Sequence, residues 1–223
     1  ESLRKRFTGI PAHVVNFFVF VAEEVRQVLA KLGYRSLSEI IGRADLLSAR
    51  SVTLTKTSHL HLDCLTELPD TRSDRSWLDH VAVHSNGPVL DDEFIADPEL
   101  LDAIETHSTI TKTYPILNTD RSVGARLAGT IAKRHGNQGF QGQITLNFQG
   151  SAGQSFGAFI LPGLTLKLVG EANDYVGKSI HGGELIITPP ADITYDPSQN
   201  VIIGNTCLYG ATGGSLFAQG QAG

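Results

Sequence analysis

Apolar residues recur at two different periods along this chain. In the second half, Ile144, Leu146 and Phe148 alternate with polar neighbours, and Leu164, Leu166 and Leu168 do the same. A repeat of two is that of a strand with one apolar face. Near the start, Phe17, Phe18, Val21, Val25, Val28, Leu29 and Leu32 fall on one helical face, with Pro11 near the beginning and Gly33 as a stop. A helix this apolar must pack against something. Ser36 and Glu39 form an S-x-x-E capping box, Ile40 and Ile41 supply apolar contact and Gly42 ends the segment, which predicts a second, short helix. From Ser48 to Asn86 the chain is polar and reads as a connector. Asp97-Pro98-Glu99 opens a helix to about His107, with an Asp cap and Pro at the first helical position. Val123, Leu127 and Ile131 predict a further helix from Asp120 or Arg121 to His135, closed by Gly136.

A glycine pattern returns among the strand-like runs. Phe148-Gln149-Gly150 leads through Gly153 to Gly157, Val169-Gly170 through Gly177 to Gly182-Gly183, and Ile203-Gly204 through Gly210 to Gly213-Gly214. Recurrence on a scale of tens of residues marks stacked coils, none of which could bury its apolar face alone. The pattern predicts a mainly β fold, a right-handed parallel β-helix preceded by an α-helical segment. Gly183 and Gly214 each follow another glycine and precede a strand-like run, which predicts a positive φ or a close backbone contact. On this reading residues 1–50 are a helical tail, 51–117 a connector with one helix, and 118–223 the β-helix domain. Its last residues, Phe217 to Gly223, keep the rhythm of the repeat without a capping element, so the domain reads as truncated.

Composition narrows the function. A chain of 223 residues with net charge −5 and mean hydropathy −0.03 has room for one large domain or one domain with an appendage. No apolar stretch reaches the length of a transmembrane helix. Lys and Arg are scattered, which argues against nucleic-acid or membrane partners. Cys64 and Cys207 lie far apart with no CxxC, so neither a disulfide framework nor a cysteine metal site is expected, and the composition fits a reducing cytoplasm. The chain begins with Glu1 and contains no Met, which reads as processing or a fragment.

Candidate chemistry is sparse. Ala172-Asn173-Asp174-Tyr175-Val176-Gly177-Lys178-Ser179 satisfies a permissive phosphate-loop pattern, but strand-like, glycine-interrupted residues follow where a helix is needed, so a coil corner is the expected role. His59 and His61 with Asp63 and Cys64 could be half of a metal site, or a polar connector showing alternate side chains to solvent. His181 could serve as the base of a β-helix acyltransferase, but no carboxylate is fixed to orient it, so plain exposure is expected. Asp91-Asp92-Glu93 reads as an exposed acidic run before a helix, and Cys207 as a small buried thiol.

Several strings carry a resemblance. Val15-Asn16-Phe17-Phe18, Ala22-Glu23-Glu24-Val25-Arg26, Leu32-Gly33-Tyr34 and Ile40-Ile41-Gly42-Arg43-Ala44-Asp45-Leu46-Leu47 look like the end of the FMN-binding synthase domain of the glutamate synthase large subunit, a family that includes ferredoxin-dependent enzymes. Asn118 to Leu127 resembles the start of that family's carboxy-terminal domain, and Gly150 to Phe159, Ala172 to Lys178 and Gly204 to Gly214 resemble its GXGXG coils. The resemblance implies a part of an enzyme that moves the amide nitrogen of glutamine onto 2-oxoglutarate and reduces the product at FMN with electrons from an iron–sulfur cluster. It implies partners in the remaining enzyme domains and an electron donor, ferredoxin or a nicotinamide-linked small subunit. Location would be cytoplasmic, or plastid in a plant. The family's nucleophilic cysteine, cluster ligands and flavin core match nothing in this chain, so no catalytic, cofactor-binding or metal residue is assigned, and a scaffold role is expected. The alternative is a stand-alone β-helix assembly subunit, similar to the domain found with formylmethanofuran dehydrogenases.

Overall fold

Pro11 at the first helical position and Gly33 just past the last bound the long helix that the apolar stripe predicts. The computed structural model describes residues 2–51, 54–58, 60–68 and 87–223, in two compact units, Glu1–Val81 and Ala82–Gly223. Among its described residues the first unit holds α1 (Ser2–Arg6), α2 (Pro11–Leu32), α3 (Asp63–Thr66) and three single 3-10 turns. Gly33 ends α2 in the left-handed conformation, φ 82°, and Tyr34 N–H closes onto the Leu29 carbonyl at 2.9 Å. The predicted second helix is only a 3-10 turn, Leu37–Glu39. Its capping contact is also rearranged: the Glu39 carboxylate accepts from Arg35 N–H at 3.0 Å and from Ser36 Oγ at 3.1 Å, while the serine side chain caps nothing. Of the α2 stripe, Leu29 is buried and Phe17, Phe18 and Leu32 are exposed.

The second unit runs α4 (Leu90–Ala96), α5 (Pro98–Thr106), β1 (Thr109–Ile116), α6 (Ala125–His135), β2 (Gln143–Ala152), β3 (Leu164–Ala172), β4 (Glu184–Thr188), β5 (Val201–Ile203), β6 (Ser215–Ala218) and β7 (Gln221–Ala222). Asp97 caps α5, accepting from Glu99 N–H at 2.8 Å and Leu100 N–H at 3.3 Å. The seven strands among the described residues join one sheet in the order β1-β2-β3-β4-β6, with β5 pairing β3 and β7, and every pairing is parallel. The alternating apolar positions line up across it. Leu146 pairs with Leu166, Leu166 with Leu185 and Leu185 with Leu216. Because register repeats at two, each rung places its leucine on the same face.

That face is covered by helices, and here the expected fold class is corrected. One apolar cluster joins Phe94, Leu100, Ile104, Leu127 and Ile131 of α4 to α6 with Ile144, Leu146, Phe148, Leu164 and Leu166 of the sheet. With about 34% helix against 21% strand, the chain is α/β: a parallel sheet with packed helices, not a mainly β right-handed β-helix. The glycine repeat reports the geometry of the turns between strands, which by itself does not specify what covers the sheet.

Candidate functional site

The turns that follow the strands share one backbone pattern. Left-handed φ angles recur at alternate positions: Ser122 and Gly124; Ser155, Gly157 and Phe159; Tyr175, Gly177 and Ser179; Thr206, Leu208 and Gly210. Of the residues between them, Val123, Phe156, Ala158 and Val176 face inward and are buried, whereas Tyr209 in the last turn is exposed. Amides of the left-handed residues bond from turn to turn. Ser122, Ser155 and Tyr175 donate forward to the carbonyls of Gln154, Asp174 and Asn205 at 2.8, 2.8 and 2.9 Å, while Gly157, Gly177 and Leu208 donate back to Val123, Phe156 and Val176 at 2.9, 2.9 and 2.8 Å.

This ladder decides the phosphate-loop candidate. In Ala172–Ser179 the Tyr175, Gly177 and Ser179 amides are spent on neighbouring turns, and the Lys178 amide closes onto Tyr175 O at 3.1 Å. No helix follows, and the next regular element is β4. An anion cradle needs converging free amides or a helix dipole. With its alternate amides engaged and no helix behind it, the segment acts as a turn.

The acidic run is placed differently from its expected exposed position. Asp91 is buried, 3% exposed, and its carboxylate accepts Gly124 N–H at 2.8 Å and Arg126 N–H at 2.7 Å, at the start of α6. Burial pushes the carboxyl upward, against the pull of the Gly124, Arg126 and Leu127 amides. Asp91 thus takes the Gly124 amide as the turn carbonyls take those of Gly157 and Gly177. Asp92 caps its own helix, accepting Val89 N–H at 3.1 Å, and pairs with Arg126. The helix predicted from Asp120 or Arg121 therefore starts later, at Ala125, behind a left-handed Gly124, φ 95°.

His181 borders an open groove of about 440 Å³ between α6 and the turns, lined among others by Ala128, Phe159, Ser179 and Thr212. Its Nδ1 lies 2.9 Å from Thr212 Oγ1 and its Nε2 3.5 Å from Gln138 Nε2. Neither partner is a carboxylate, so nothing polarises the ring as a general base. Cys207 is half-buried, its Sγ 3.2 Å from the Gly204 carbonyl, and burial pushes the thiol up, away from reactivity. His59 lies outside the described residues. Cys64 is an exposed free thiol, and among the described residues no three His, Cys, Asp or Glu side chains group as a metal site. No described helix is long and apolar enough to cross a membrane.

The GXGXG motif family model matches residues 91–223, the span that contains the alternating turns. The chain is 64% identical to ferredoxin-dependent glutamate synthase 2 of Synechocystis sp., 55% to ferredoxin-dependent glutamate synthase of Pyropia yezoensis, and 53% to ferredoxin-dependent glutamate synthase 1, chloroplastic/mitochondrial, of Arabidopsis thaliana. Each alignment covers 100% of this chain and 14% of the relative's length.

Proposed function

Since this chain belongs to the GXGXG motif family, we propose that it is a part of a ferredoxin-dependent glutamate synthase and serves there as a non-catalytic scaffold. The observation that carries the reading is the alignment with such enzymes, which covers the whole chain at up to 64% identity. The parent reaction would be glutamine plus 2-oxoglutarate plus reductant to two glutamates. Residues 1–50 would be the tail of the synthase part, and the turn-and-strand unit would hold the amidotransferase and synthase parts together. Reductant would come from ferredoxin, the donor in the relatives' names; nothing supports a nicotinamide-linked subunit. The location would be the cytoplasm, or a plastid in a plant.

The parent's FMN and iron–sulfur cluster do not fit this chain's residues. A cluster needs several thiolates together, whereas Cys64 and Cys207 belong to different units. A flavin phosphate needs converging free amides, and in the Ala172–Ser179 turn those of Asn173, Tyr175, Gly177, Lys178 and Ser179 are engaged. Both groups would be held by other parts of the parent. The test is the purified chain: it should be colourless and without activity toward glutamine and 2-oxoglutarate. Stoichiometric FMN or iron after reconstitution would overturn the scaffold reading.

A further inference from the structure

Two histidines meet where the ends of α5 and α6 converge. His107 caps α5 in the left-handed conformation, φ 53°, and its Nδ1 accepts the Gln141 backbone N–H at 3.0 Å. His135, the last residue of α6, places Nε2 2.9 Å from the Ile104 carbonyl in the last turn of α5. The ring centroids stand 4.4 Å apart. Both rings lie against Phe140, at 5.6 and 5.9 Å, and Phe140 is itself buried.

These partners fix where the protons are. A carbonyl can only accept, so His135 Nε2 carries a hydrogen; an amide N–H can only donate, so His107 Nδ1 is bare. His107 is therefore neutral, with its proton on Nε2. A proton arriving at Nδ1 would set two donors against each other and place a cation beside the second imidazole. Asp102 and Glu105 on α5 and Lys133 and Arg134 on α6 are the charged residues near these helix ends, and Arg134 pairs with Glu105. Residues 136–142 carry no charge, and among the described residues the titratable group bonded to them besides His107 is His181, through Gln138.

We propose that this pair is an acid-sensitive latch: proton uptake at His107 Nδ1 releases the Gln141 amide and loosens residues 136–142, the segment that leads into β2. The latch lies apart from the reading of the chain as a scaffold and does not depend on it. Hydrogen exchange by mass spectrometry on the intact chain tests it, comparing protection of 136–142 at about pH 8 and about pH 5.5, the range in which imidazoles take up a proton. After correction for intrinsic rate, protection should fall at least about tenfold in the wild type. It should stay constant in His107→Gln, whose amide oxygen can accept the same N–H without titrating. Unchanged wild-type protection, or an equal fall in His107→Gln, overturns the latch. Nitrogen chemical shifts of His107 in the intact wild-type chain at about pH 8 give a second readout: a bare Nδ1 supports the proposal, and a protonated Nδ1 overturns it whether or not the variant folds.

Discussion

A single carboxylate, Asp91, holds two amides at the start of α6 across a sequence separation of 33 and 35 residues. Asp91→Ala would leave the Gly124 and Arg126 N–H groups without an acceptor in a largely dry site, at a cost of about 2 to 4 kcal/mol. Asp91→Asn keeps the shape and one oxygen and should lose about half as much; urea denaturation of the two variants checks the order. Asp97 offers a pH handle of known sign. Burial raises its carboxyl, but the Lys112 ammonium and the Glu99 and Leu100 amides outweigh that and hold it below the usual carboxylate range. Lys112 Nζ lies 3.0 Å from the Asp97 carboxylate and 2.7 Å from that of Glu99. A depressed acid stabilises the fold above its unfolded pKa and ceases to do so as pH falls through the folded one. The stability difference between wild type and Asp97→Asn should therefore be constant near neutrality, begin to shrink only as pH falls below about 4, and be lost as pH drops through the lowered pKa of the folded state. Gly183 and Gly214 combine both features expected of them, with φ of 78° and 86° and no room for a side chain. A Cβ at Gly183 would meet the Leu164 and Leu161 carbonyls, and one at Gly214 would lie 2.9 Å from the Gly183 oxygen. Valine at either should cost about 2 to 4 kcal/mol. As a control, Thr111→Val on the exposed side of β1 should cost under about 1 kcal/mol. Equal melting of all three variants would refute the packing argument.

At the scale of elements, legibility followed the range of the interactions that define each one. The long N-terminal helix, the Asp97-capped helix and the strands around Ile144 and Leu164 were readable because their caps and periodicities lie within a few residues. The start of α6 was not, since the group that sets it sits in α4. For the same reason the local sequence points the acidic run at solvent although its first member is buried: the amides that draw Asp91 inward are remote in sequence. The turns were half legible. Glycines marked them, but the repeating feature is the alternation of left-handed backbone, which Ser155, Phe159, Tyr175 and Leu208 also adopt at about 1 kcal/mol or more each. A pattern counted in glycines therefore misses seven of its eleven members, and it carries no information on the helices that cover the sheet. Helix α2 supports a prediction at this scale. Phe17, Phe18 and Phe20 are 62%, 64% and 67% exposed, and no charged residue lies between Phe7 and Ala22. Apolar surface of this kind associates when nothing covers it. The isolated chain should self-associate in a concentration-dependent way, and Phe17→Asp with Phe20→Asp should abolish this; light scattering showing a monomeric wild type would contradict it.

For the molecule as a whole, the distribution of buried surface separates what folds from what needs help. The apolar cluster runs from Leu90 to Ala218 and lies entirely in the second unit. In the first unit, the 22-residue α2 buries only Leu29. Cooperative stability comes from a shared core, so the two units should differ in kind, one melting as a block and the other fraying in small steps. Removing residues 1–81 should leave the melting temperature of the remainder within about 3 °C of the intact chain, because a loss of that size corresponds to under about 1 kcal/mol for a domain of this length. The complementary piece, residues 1–81 alone, should show helical signal without a cooperative transition, as expected of a helix whose stability depends on packing it does not have. Circular dichroism melts of the three chains decide the matter. A drop of ten degrees or more in the longer piece would mean that the first unit contributes to the core after all, and a sharp transition in the shorter one would mean that α2 buries its stripe within its own unit.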